Sequence, residues 1–133
     1  MQLDEAAKLF LQYDYAEAKA LCTQFLTVVL AVLVFSLTFS EKVADFPRAT
    51  LAVKAFLLAA WCLFMVAILL GGAAIYYLAL AGGEAVSGGG GYYQLESTAM
   101  SFAVGGGTVF VIGLVSLMIT AALTVIKAKA PAA

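Results

Sequence analysis

The sequence predicts an all-α polytopic membrane protein with three transmembrane helices, and three observations predict it. The chain of 133 residues is 65% hydrophobic and 11% charged, with a mean hydropathy of +1.06; soluble domains carry roughly 25% charged residues. Residues 21–39, 55–81 and 97–126 contain no charged side chain, and ~20 apolar residues suffice to cross ~30 Å of hydrocarbon. Small and hydroxylated residues recur along the second and third stretches at helical spacing, as they do where membrane helices pack. A single membrane domain follows. Residues 1–20 form an amphipathic lead, 47–81 a helix holding the second span, 82–96 a glycine-rich loop and 127–133 a tail.

The lead has a net charge of −2, from Asp4, Glu5, Asp14 and Glu17 against Lys8 and Lys19. Its apolar stripe is read as Ala6, Leu9, Phe10, Tyr13, Ala16 and Ala20. Asp4 and Lys8 stand at i,i+4, a pairing of only a few tenths of a kcal/mol. No Gly or Pro precedes Pro47, so the lead is expected to run unbroken into span one. A helix of about 38 residues would then be near 57 Å long at ~1.5 Å per residue and extend beyond the membrane. The acidic flank and the lack of a small-x-small site after span one fit a retained helix better than a signal peptide. Gln24, Thr27, Ala31, Val34 and Thr38 give that span a mildly polar face.

Pro47 fits the first turn of the second helix, where its missing N–H is harmless. Arg48 and Lys54 would lie among headgroups, Lys54 by snorkelling. Ala60, Ala67, Gly71, Ala74 and Ala81 make a small-residue stripe. Gly82 and Gly83 suit a helix C-terminus. The run Gly88 to Gly91 lacks the Lys and the strand–turn–helix setting of a phosphate cradle, so it reads as a plain loop. Tyr76, Tyr77, Tyr92 and Tyr93 fit an interfacial aromatic belt. Ser97 or Thr98 would cap the third helix. Along it Gly106, Gly113, Ser116, Thr120 and Thr124 share one face, predicted to meet protein, away from Phe102, Phe110, Val111 and Met118.

Candidate chemistry is sparse. The chain has no His, the usual proton-transfer group near neutrality and the commonest metal ligand. Two Cys cannot supply the four ligands of structural zinc, and Met65, Met100 and Met118 read as packing. Cys22 and Cys62 are expected at different depths, hence free, buried and inert. Ionisable residues at membrane depth, which mark pumps and ion-coupled transporters, are missing from the three stretches. No catalytic residue, cofactor or metal site is assigned. A net charge of −1 argues against nucleic acid as a partner. The expected partners are membrane lipid and either other membrane subunits or copies of the chain itself.

Lys42, Arg48, Lys54, Lys127 and Lys129 fall on one side of the membrane, and Lys8 and Lys19 on the other. The positive-inside rule then places the C-terminus in the cytoplasm and the N-terminus outside. A helical lead, FSLTFSEK closing span one, AAWCLF entering span two and a glycine-rich start to span three resemble small three-span bacterial membrane proteins. The resemblance implies a bacterial inner membrane and, from some members, a self-associating effector that forms a pore or perturbs the bilayer. The residues themselves leave two readings. One is an accessory or structural subunit acting through the small-residue faces of helices two and three. The other is a self-associating protein, in which one of the Gly106–Thr124 and Gln24–Thr38 stripes closes the three-helix unit and leaves the other spare.

Overall fold

The computed structural model describes residues 5–42 and 45–129. Among them the regular structure is helical throughout. Helix α1 runs Glu5–Lys42, with one π turn at Phe10–Asp14. Helix α2 runs Leu51–Ser87 and helix α3 Tyr92–Lys129. A short 3-10 turn, Phe46–Arg48, precedes α2. All three helices are long and apolar enough to cross a membrane. α2 and α3 form a continuous antiparallel hairpin, while α1 packs mainly on α2 and meets α3 sparsely. The Asp4–Lys8 pairing and the tail beyond Lys129 lie outside the described residues.

Several boundaries differ from those read in the sequence. α2 begins after Thr50, whose hydroxyl accepts the Val53 N–H at 3.4 Å, and Pro47 belongs to the preceding turn. α2 also continues past Gly82 and Gly83 to Ser87, where Gly88 ends it at φ 79°. That left-handed conformation favours glycine. The connection therefore shrinks to residues 88–91, and α3 starts at Tyr92, with Ser97 and Thr98 inside it. Gly in a helix interior is unfavourable by ~1 kcal/mol relative to Ala, but here packing against α1 outweighs it. Gly82 is buried beneath Tyr15.

The lead explains why these extra turns are helical. Ala7 and Phe10 are buried against Ala81, Ala85 and Tyr92, so the lead docks on the extended ends of α2 and α3. Its buried side is Ala7, Phe10 and Ala18, while Leu9 and Tyr13 of the expected stripe are exposed. The span sets the inward side through Cys22, Val29 and Ser36, and the π turn at Phe10–Asp14 shifts the phase of the lead relative to it. Tyr92 is thus a core residue, with its ring 4.9 Å from Phe10, and Tyr93 and Tyr76 remain exposed.

Along the bundle, rings and leucines fill glycine notches. A Cβ on Gly82 would lie 2.8 Å from the Tyr15 ring, and one on Gly71 2.7 Å from Leu26. One on Gly106 would meet Leu70, the Ala67 carbonyl and the Phe25 ring at 3.3–3.5 Å. A Cβ on Gly113 would lie 2.7 Å from the Phe64 ring. Phe110 is drawn inward by the same packing, edge-on to Phe25 at 5.8 Å and 5.7 Å from Phe64. Phe102 stacks on Tyr77 at 5.4 Å. These two rings correct the expected polarity of α3, because rings are needed to fill what the glycines leave open. Val111 and Met118 are exposed. Both cysteines are free, but Cys62 faces outward and only Cys22 is buried.

Gly113→Ala should be destabilising. Overpacking against the buried Phe64 ring costs about 1–3 kcal/mol, offset in part by ~1 kcal/mol of helix propensity; Gly113→Leu should be worse. Gly107→Ala, whose Cβ meets nothing within 4 Å, should gain up to ~1 kcal/mol. SDS unfolding in mixed micelles reads both, and equal signs for the two alanines would refute the notch assignment.

Candidate functional site

The residues assigned to helix packing are placed as follows. On α2, Ala67, Gly71 and Ala74 are buried. Ala67 packs with Val29, Ala60 and Phe64, and Gly71 receives Leu26 and Phe25 of α1. On α3, Gly106, Gly113 and Thr120 are buried, and Ser116 and Thr124 are half-buried. Gly106 and Gly113 both meet α2. The hydroxyls stay within their own helix: Thr120 donates to the Ser116 carbonyl at 3.0 Å and Thr124 to the Thr120 carbonyl at 2.9 Å. A Thr hydroxyl satisfied in this way asks nothing of a neighbouring helix.

Among the described residues one polar contact joins α1 to α2, and sequence reading missed it. The Trp61 indole N–H donates to Ser36 Oγ at 3.0 Å, and Ser36 Oγ–H donates to the Leu33 carbonyl at 2.7 Å. Trp61 also stacks on Phe46, with centroids 6.1 Å apart. The available signal was the chain's single Trp, whose N–H needs an acceptor when it leaves water.

The outer side of α1, like those of α2 at Met65 and Leu69 and of α3 at Val111 and Met118, has no protein neighbour, but it carries the more polar residues. Gln24, Thr27, Ala31, Val34 and Thr38 are all exposed, on the side of the helix opposite Cys22, Val29 and Ser36. Thr27 donates to the Thr23 carbonyl and Thr38 to the Val34 carbonyl. The Gln24 amide is the polar group left over, forming no hydrogen bond among the described residues.

Charges collect at the two ends of the bundle. At the α1–α2 connection, Lys54 Nζ donates to the Pro47 carbonyl at 3.1 Å and Lys127 Nζ to the Arg48 carbonyl at 3.4 Å. Arg48 approaches Asp45 at 4.0 Å, the one ion pair among the described residues. At the other end, Asp14 and Glu17 of α1 face Glu96 of α3, one residue outside the uncharged stretch 97–126. Burial, helped by the Asp14 charge, raises the Glu96 carboxyl above its ordinary value. The Glu84 carboxylate lies over Gly89 and Gly91, so the chain's own anion fills the concave side of the glycine loop. Among the described residues no group of three His, Cys, Asp or Glu could hold a metal ion.

No protein-family model, curated protein or solved structure matches the chain. Its class rests on the architecture: a three-span α-helical integral membrane protein, with a first helix extended beyond typical transmembrane length and substantial packing between its helices.

A raised Glu96 pKa has a definite sign. The folded state favours the protonated acid, so docking of the lead on α3 is firmest below the ordinary carboxylate pKa. It weakens as pH rises through the raised value. Hydrogen exchange of residues 5–18, corrected for intrinsic rates, should show protection falling over that window. Glu96→Gln should flatten the profile, and an unchanged profile in the variant would exclude Glu96 as its source.

Proposed function

We propose that this chain is a non-catalytic integral membrane protein that works by lateral helix contact, as an accessory or structural subunit of a membrane complex. The contact surface is the outer face of α1. Gln24 is the observation that carries this reading: an amide on a lipid-facing helix with no hydrogen bond among the described residues. Hydrogen bonds between membrane helices contribute about 0.6–2 kcal/mol, so a partner helix offering an acceptor or donor is favoured there over lipid. The small-residue faces of α2 and α3, the docking surfaces first read from the sequence, are occupied by Phe25, Leu26, Phe64 and Leu70 of the same chain. That occupancy supports moving the outward contact to α1.

The same face can meet a second copy of the chain. Self-association into a pore or a bilayer-perturbing effector is the alternative reading, and the resemblance to small three-span bacterial membrane proteins favours it. In both readings the host membrane is the bacterial inner membrane. The cytoplasmic end is then the one carrying Lys42, Arg48, Lys54, Lys127 and Lys129, against Lys8 and Lys19 at the other.

Native mass spectrometry after extraction in mild detergent separates these readings. A heterologous subunit lost in Gln24→Leu supports the accessory role, and a homo-oligomer lost in the same variant supports self-association. A monomer with and without Gln24 would sink both. Orientation is read by impermeant thiol labelling of Gln2→Cys and Ala132→Cys in a chain lacking Cys22 and Cys62. Position 132 should react from the cytoplasm and position 2 from outside, and the opposite pattern would reverse the assignment.

A further inference from the structure

The sparse contact between α1 and α3 leaves a crevice of about 280 Å³ that is open toward lipid. Ala18, Cys22 and Gly71 are its buried floor, and the exposed Leu21, Met100 and Val104 form its rim. A second depression, of about 180 Å³, continues it toward the lead and shares Ala18, Leu21 and Met100 with it. Its remaining walls are carboxylates: Asp14, Glu17 and Glu96. Together the two volumes fall within the roughly 300–1,000 Å³ of small-molecule sites. Apolar walls thus lie at acyl-chain depth, and three acids lie where the uncharged stretches end.

No cation pairs with these acids among the described residues. The one ion pair there is Arg48–Asp45, at the far end of the bundle, and the Lys19 ammonium sits 6.0 Å from the Tyr15 ring centroid. We propose that the crevice binds a cationic amphiphile entering from the lipid, its hydrocarbon chain against Ala18, Cys22 and Gly71 and its ammonium head among Asp14, Glu17 and Glu96. Charge complementarity selects this occupant. An anionic amphiphile would bring a fourth negative charge to the mouth, and an uncharged one would leave the acids uncompensated. In a parallel second copy Lys42, Arg48, Lys54 and Lys127 stand at the opposite end of the bundle, and only Lys8 and Lys19 share the end of these acids.

The test uses the full chain in phosphatidylcholine nanodiscs, titrated calorimetrically with decyltrimethylammonium below its micellar concentration, with empty discs subtracted. Saturable binding near one per chain is expected, with none for decyl sulfate or decanol. Asp14→Asn combined with Glu96→Gln should weaken it at least tenfold, and Val104→Trp, which covers the rim, should abolish it. Non-saturating uptake, equal binding of decyl sulfate or indifference to the carboxylate variant would each overturn the proposal. Gln24→Leu lies on the opposite side of α1 and should leave this binding intact, so failure of the partner-docking reading is distinguishable from failure here.

Discussion

The whole architecture depends on rings and leucines seated where glycines leave room. In lipid there is little hydrophobic force pressing helices together, because acyl chains are as apolar as Leu. Cohesion must come from close packing, and a glycine opposite a flat ring gives a large contact area between two helix axes. Tyr15 on Gly82, Phe25 on Gly106 and Phe64 on Gly113 supply this at three heights of the bundle, joined by Leu26 on Gly71. The notches join α1 to α2, α1 to α3 and α2 to α3, so no pair of helices is left without one.

Much of this was legible in the sequence, for a physical reason. Uncharged stretches of bilayer length declare spans regardless of how they pack, and small residues at helical spacing declare which side of α2 and α3 turns inward. The partners of the small residues were less legible. A glycine admits either a backbone or a side chain, and the choice is made by residues distant in sequence: Phe64 is 49 positions from Gly113. For the same reason Phe110, bulky enough to suggest a lipid-facing position, lies between Phe25 and Phe64.

The boundaries were misread where tertiary support overrides local signals. Gly82 and Gly83 carry the mark of a helix end, yet the helix persists through them because Tyr15 covers Gly82. The outer face of α1 was visible as a polar stripe, but its lack of a neighbour was not. That depends on the inward face chosen by Val29 and Ser36, which only the assembled bundle defines. The acids at the α1–α3 mouth were scattered through two segments 79 or more positions apart, and no spacing rule links them.

The indole–serine bond between Trp61 and Ser36 bears on how the bundle is made. α1 is synthesised first, yet its polar anchor on α2 does not exist until residue 61 has entered the bilayer. Until then Ser36 has only its own turn for company, its hydroxyl donating to the Leu33 carbonyl. Arrival of the tryptophan supplies the bond that ties Ser36 to α2, so α1 takes its polar anchor from a helix that follows it in the chain.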